Sequence, residues 1–208
     1  MDVLSAIKCE VENKMKNDPA HDIAHTMRVY DNAKRICMAE GVDDRLVLCA
    51  ALLHDVVSFP KSSDSSKLSA EYSAREARKI MKKYDFTDAE IQTVSNAVQN
   101  HSFSANQTPH TMEGKILQDA DRLDAIGAIG IARVFAVGGS EKRQLYHKDD
   151  PFCKEHTPDD KKWTLDHFYK KLLLLESMMN TKSAKKEAAK RTHILGDFLS
   201  QLHDELYP

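Results

Sequence analysis

The chain has 208 residues, of which 41% are hydrophobic and 30% are charged, and its formal net charge at pH 7 is −2. This composition excludes a disordered chain and a collagen-like repeat, and it favours a single domain spanning residues 1–208. The small net charge creates no global field that would attract nucleic acid or an acidic membrane. Because there is also no long apolar run and no C-x-x-C pair, we expect a reduced, cytoplasmic protein without nucleic-acid or membrane partners.

Helical periodicity fills the stretches between the glycines and prolines. The first predicted helix covers about 20–40 and ends at Gly41, and the next follows Asp43 and Asp44 and carries an apolar face through Leu53. Further helices are predicted around 77–84, after a cap at Thr87 or Asp88, over 113–137, and over a ladder of apolar residues at 188–206. The helix over 113–137 is apolar on nearly all sides in its middle, which is typical of a central buried helix.

Strand signals are nearly absent, since the chain shows no apolar/polar alternation and no Asn-Gly hairpin. We therefore predict an all-α fold. Two long stretches, 57–68 and 138–162, are predicted to be non-helical, and loops of this length in a compact domain are usually functional or mobile. The charge density of 138–162 favours a mobile loop.

Histidine and aspartate occur together at three points of the chain. His25 lies near the start of one predicted helix, His54-Asp55 follows the apolar run of another, and Asp121 interrupts a third. An uncompensated buried carboxylate costs several kcal/mol, so buried acids are paired or bound to metal. A lone histidine or aspartate of this kind is more often structural, but the set favours a divalent cation such as Mn, Fe, Co, Ni, Zn or Mg.

Three motifs occur in order along the chain: His-Asp-x-x-His-x-x-Arg-Val at 21–29, His54-Asp55 followed by Pro60-Lys61, and Asp-Ala-Asp-Arg-Leu-Asp-Ala at 119–125. With this combination the sequence resembles the HD-domain metal-dependent phosphohydrolases, in particular the small stand-alone bacterial and archaeal members. The resemblance implies an HD-domain helical bundle around one buried divalent metal ion. Its ligands would be His25, His54, Asp55 and Asp121.

Other residues are candidates for catalysis or substrate binding. Asp55 is also a candidate acceptor for the proton of the attacking water. His101 shares an apolar helix face, so it is either a buried histidine that donates to a backbone carbonyl or a cleft residue that orients water or contacts phosphate; the resemblance favours the cleft residue. Candidate substrate-binding residues are Lys61, His21 and Arg122, and candidates that orient the ligands are Asp22 and Asp124.

We therefore expect hydrolysis of a phosphate ester or anhydride in a small phosphorylated substrate, such as a nucleotide, by metal-activated water. Two alternatives stay open: a non-catalytic nucleotide or metal sensor, and an HD-type oxygenase with two irons. The sequence specifies neither the substrate nor the metal nor the oligomeric state.

Overall fold

The computed structural model describes residues 2–14, 23–59, 65, 68–102 and 108–208, and these contain nine α-helices. The helices are α1 (Val3–Lys14), α2 (Ile23–Glu40), α3 (Arg45–Leu53), α4 (Ser69–Met81), α5 (Asp88–Asn100), α6 (Met112–Asp124), α7 (Gly127–Ser140), α8 (Asp166–Lys170) and α9 (Lys182–Leu206). Within those residues there is no strand, only an isolated bridge between Gln144 and Trp163. The prediction of an all-α fold is confirmed.

The chain divides into two units, Met1–Asp121 and Arg122–Pro208. In the first unit, α3 lies at the centre and packs against α1, α2, α4 and α5. Every residue of α3 from Val47 to Leu53 is buried. An all-round apolar helix needs apolar neighbours on every side, and this requirement places α3 inside the bundle.

Local sequence signals set the helix ends in this unit. Gly41 adopts φ +68° directly after α2, and Val42 N–H donates to Cys37 O in the manner of a Schellman motif. Before α3, Asp43 Oδ1 accepts a hydrogen bond from Arg45 N–H. Thr87 caps α5 in a reciprocal capping box with Glu90. The predicted caps at Gly41 and Thr87 are therefore confirmed.

The prediction of a single helix over 113–137 is wrong, because the helix is interrupted between α6 and α7. Gly127 adopts φ +75° there, a left-handed conformation that interrupts a helix. Gly130 allows the turn to close tightly, since a Cβ at this position would lie 2.2 Å from the Ala125 carbonyl oxygen. The apolar periodicity continues through both helices, so composition alone does not reveal the break.

The second unit is built around aromatic packing between α7, α8 and α9. Phe168 is fully buried and stacks on Phe198, and Phe135 packs edge-on against Phe198. Between α7 and α8 the chain forms turns and bends rather than helix, as predicted for 138–162, although α7 continues to Ser140. The predicted mobility of this loop stays a prediction.

No single helix in the described ranges is long and apolar enough to cross a membrane. Only α6 and α7, taken together across the break between them, reach that length and composition.

Candidate metal centre

Two buried histidines face each other in the first unit. His25 lies in the first turn of α2 and is 1% exposed, whereas His54 directly follows α3 and is 0% exposed. His54 Nδ1 lies 2.8 Å from Ala51 O, and only a protonated nitrogen can donate to a carbonyl. His54 Nε2 therefore carries the lone pair when the ring is neutral, and it lies 3.2 Å from His25 Nε2.

Two carboxylates complete this group. Asp55 Oδ2 lies 3.7 Å from His25 Nε2 and 3.6 Å from His54 Nε2, and Asp121 Oδ1 lies 3.5 Å from His25 Nε2. One donor atom each from His25, His54 and Asp121 lies within 4.8 Å of the others. The sequence-predicted residues His25, His54, Asp55 and Asp121 thus come together, and we call them the His/Asp cluster.

His101 is also brought to this cluster. It is 5% exposed, its Nδ1 donates to Val98 O at 2.6 Å, and its Nε2 lies 3.6 Å from Asp55 Oδ1. Its ring packs edge-on against that of His54, with centroids 5.1 Å apart. His101 therefore donates to a backbone carbonyl, as one of the two interpretations expected, and its other nitrogen faces a carboxylate of the cluster. Its contact with water or phosphate stays a prediction.

Burial and charge act differently on the members of this group. Burial lowers the pKa of His54 to about 4, so its imidazole is neutral near pH 7. Burial also acts to lower the pKa of His101, but the hydrogen bond and the negative charge of Asp55 outweigh it and raise this pKa to about 9. Burial acts to raise the pKa of Asp121, but the three nearby histidines lower it to about 2.

The donor set fits a divalent cation. His54 is neutral and has its lone pair directed into the cluster, Asp121 is ionised, and the ring orientation of His54 is fixed by a hydrogen bond from its other nitrogen. Metal-binding histidines typically have such a partner on the second nitrogen. Imidazole nitrogens and carboxylate oxygens together suit borderline to hard divalent ions.

The remaining candidates are placed differently. Arg122 is buried, and its guanidinium donates to Met178 O; Asp124 is buried and accepts a 2.7 Å hydrogen bond from Arg133. These contacts are structural ones within the second unit, and the substrate and orienting roles of the two residues stay predictions. His21, Asp22 and Lys61 lie outside the described residues.

Asn32 was not predicted from the sequence. Its side chain is buried on α2, and Nδ2 donates to the carbonyl oxygen of Ala120 at 3.2 Å. This bond ties α2 to the residue before Asp121 and so holds the carboxylate-bearing turn near His25. The sequence contains a signal for this role, since Asn32 is a polar residue beside Val29 and Ala33 on an otherwise apolar helix face.

Comparisons with known proteins show which family the chain belongs to. The HD domain model matches residues 22–126. Bacillus subtilis YpgQ, an uncharacterized protein, is 33% identical over 186 residues, which cover 89% of this chain and 84% of YpgQ. The crystal structure of YpgQ in complex with ADP is 31% identical, covers 98% of both chains and has a TM-score of 0.75.

A second crystal structure, of an HD-superfamily hydrolase from Bacillus thuringiensis, is 32% identical, covers 98% of this chain and 96% of that chain, and has a TM-score of 0.76. The family match spans half of the chain and includes all members of the His/Asp cluster. The chain therefore belongs to the HD domain family, and its structural neighbours include an HD-superfamily hydrolase.

Proposed function

We propose that this protein is a metal-dependent phosphohydrolase that cleaves a phosphate ester or anhydride bond of a nucleotide. The observation that carries the proposal is the convergence of four potential ligands, His25, His54, Asp55 and Asp121, around one point in the first unit. They come from three separate parts of the sequence. The two histidines are buried and the two carboxylates are only partly exposed, and charged groups withdrawn from solvent in this way are costly to assemble without a partner such as a shared cation.

His25, His54, Asp55 and Asp121 would hold the cation. A divalent ion bound there supplies two effects: it lowers the pKa of coordinated water, and it neutralises charge on the phosphoryl oxygens. Ala51 O fixes the His54 ring, and Asn32 fixes the turn before Asp121. These supports keep the ligands in position without rearrangement during the reaction.

Proton transfer is assigned to Asp55 and His101. Water attacks phosphorus, and the bond from phosphorus to the leaving oxygen breaks. Asp55 accepts the proton of the attacking water, and His101 Nε2 donates a proton to the leaving oxygen. The hydrogen bond and the negative charge of Asp55 raise the pKa of His101, and this contact favours the protonated ring that a proton donor needs.

The crystal structure of YpgQ in complex with ADP supports a nucleotide as the substrate. That protein and this chain cover 98% of each other, so a nucleotide that binds in one is a reasonable probe for the other. Lys61 and His21 are further candidates for contacts to the phosphates, because the sequence places them beside His54-Asp55 and His25.

The test is a substrate screen on metal-depleted protein. Nucleoside mono-, di- and triphosphates and a generic phosphate ester are incubated with Mn²⁺, Co²⁺, Ni²⁺, Mg²⁺, Zn²⁺ or a chelator, and phosphate and pyrophosphate are measured. We expect release only with a divalent ion. Protein that binds metal and is stabilised by a nucleotide without releasing any product would instead be a sensor. Product formation that requires oxygen and two bound irons would favour an oxygenase.

A further inference from the structure

A second group of potential metal ligands lies in the other unit, in the turns that precede α8 and at the first residue of this helix. Sγ of Cys153 lies 3.7 Å from His156 Nε2, and this nitrogen lies 2.8 Å from Asp166 Oδ2. One donor atom from each of the three residues lies within 4.8 Å of the others. We propose that Cys153, His156 and Asp166 form a zinc site that is separate from the His/Asp cluster.

The second observation that supports a bound cation is an unpartnered carboxylate oxygen of Asp166 within the described part of the chain. The side chain is fully buried, and its Oδ2 accepts hydrogen bonds from His156 and from the backbone N–H of Asp159. Its Oδ1 is also buried and has no hydrogen-bond partner among the residues that the structure describes. Because an unsatisfied buried carboxylate oxygen is unfavourable, a cation beside Oδ1 explains why this group is retained inside the unit.

The histidine is held as a metal ligand would be. Nδ1 of His156 donates to Asp150 Oδ2 at 2.8 Å, which leaves Nε2 to face the cysteine and the second aspartate. Asp150 is itself fixed, since its carboxylate accepts hydrogen bonds from three backbone N–H groups, those of Lys154, Glu155 and His156. A carboxylate on the far nitrogen of a ligand histidine sets its tautomer and its orientation.

The distances and the donor types both favour zinc. Zinc binds thiolate sulfur at about 2.3 Å and imidazole nitrogen at about 2.0–2.1 Å, so the two donors of a tetrahedral site are separated by roughly 3.5 Å. The separation of 3.7 Å between Cys153 Sγ and His156 Nε2 is close to this value. The shorter contact between His156 Nε2 and Asp166 Oδ2 would open slightly as Oδ1 becomes the ligand. Water would fill the fourth position.

Zinc binding at this site displaces two protons. The thiol of Cys153 and Nε2 of His156 each lose one proton to solvent as their lone pairs bind the ion. Burial and the neighbouring carboxylates raise the pKa of Cys153 to about 12, so the thiol is protonated until a cation occupies the site. Without zinc, the ring of His156 bridges the carboxylates of Asp150 and Asp166, and these contacts raise its pKa.

Co²⁺ substitution tests the proposal, because thiolate-bound cobalt has a charge-transfer absorption in the near ultraviolet and the His/Asp cluster contains no thiol. We expect wild-type protein to show this absorption and Zn²⁺ to abolish it. Cys153→Ser should lack it, whereas Cys9→Ser, which alters an exposed cysteine, and Asp121→Asn should keep it. Wild-type protein without the absorption, or Cys153→Ser that keeps it, would overturn the proposal.

A second test measures cysteine reactivity in the wild-type protein and therefore does not depend on the folding of a variant. Alkylation of the native protein is followed by mass spectrometry of the peptides that contain Cys153 and Cys9. We expect Zn²⁺ to change the alkylation rate of Cys153 by at least tenfold, because the ion converts a protonated thiol into a bound thiolate, and to leave the rate of Cys9 unchanged. Equal rates for Cys153 with and without Zn²⁺ would contradict a thiolate ligand.

Discussion

Replacement of Asp121 by Asn should weaken metal binding and so reduce the stabilisation that the metal gives to the folded state. Asp121 Oδ1 lies 3.5 Å from His25 Nε2, and its low pKa of about 2 keeps the carboxylate ionised at every pH at which the protein is assayed. Asparagine has the same shape but supplies a neutral and weaker ligand. Loss of a partner that only orients a ligand already costs roughly 10–100-fold in metal affinity, so we expect a loss of about 100-fold or more for this direct ligand.

The size of the effect follows from binding linkage. A metal present at 100 times its Kd stabilises the folded state by about 2.7 kcal/mol, and a 100-fold weaker site at the same concentration gives only about 0.4 kcal/mol. For a chain of this length, 1 kcal/mol corresponds to roughly 2–4 °C in Tm. Mn²⁺ should therefore raise the Tm of the wild type by roughly 5–10 °C and that of Asp121→Asn by about 1 °C.

The assay is thermal unfolding of metal-depleted protein with increasing Mn²⁺, which a thiolate site binds poorly. Asp31→Asn is the matched control, because it removes the same charge from an exposed position on α2. This control should respond to Mn²⁺ as the wild type does. If Asp121→Asn gained as much stability from Mn²⁺ as the wild type, the assignment of Asp121 as a ligand would be refuted.

Three further predictions test other parts of the structure. His101→Gln should retain bound metal but lose at least tenfold in kcat, because it removes the proton donor; unchanged kcat would exclude this role. Gly138→Ala should lower the free energy of unfolding, measured with urea, by about 1–3 kcal/mol, since the new Cβ would lie 2.3 Å from Thr164 Oγ1. Gly139→Ala has open space around the new Cβ and should raise the free energy of unfolding by about 0.5–1 kcal/mol. Equal effects of the two changes would contradict the packing. Hydrogen bonds from His167 and Lys170 hold the pKa of Asp160 below its usual range, so Asp160→Asn should lower the free energy of unfolding by about 1 kcal/mol at pH 7. This difference should begin to shrink only as the pH falls below about 4, the usual pKa of an aspartate in an unfolded chain, and it should disappear only in stronger acid. A difference that grows on acidification would reverse the predicted sign.

Much of the candidate site could be predicted from the sequence because its chemistry is local. His54-Asp55 follows an apolar run that must be buried, and a buried charge beside a histidine implies a compensating partner. The periodic face that contains Val94 and Val98 likewise placed His101 inside the bundle. These inferences need only helical periodicity and the cost of burying charge.

What could not be predicted depends on geometry that periodicity does not encode. The break at Gly127 lies within a continuous apolar pattern, and a left-handed glycine there is indistinguishable in sequence from a glycine inside a helix. The grouping of Cys153 with Asp166 depends on the path of an irregular segment. The hydrogen bonds centred on Asp150 and His156 in this segment could not be predicted from its charge density, and its predicted mobility stays a prediction.

The most direct test of the metal centre is anomalous diffraction from crystals grown with Mn²⁺, with data collected at the manganese absorption edge. The proposed arrangement requires a strong peak in the first unit, within coordination distance of His25 Nε2, His54 Nε2 and a carboxylate oxygen of each of Asp55 and Asp121. A Mn²⁺ peak elsewhere, or none at these atoms in a protein that hydrolyses nucleotides only with Mn²⁺, would contradict it.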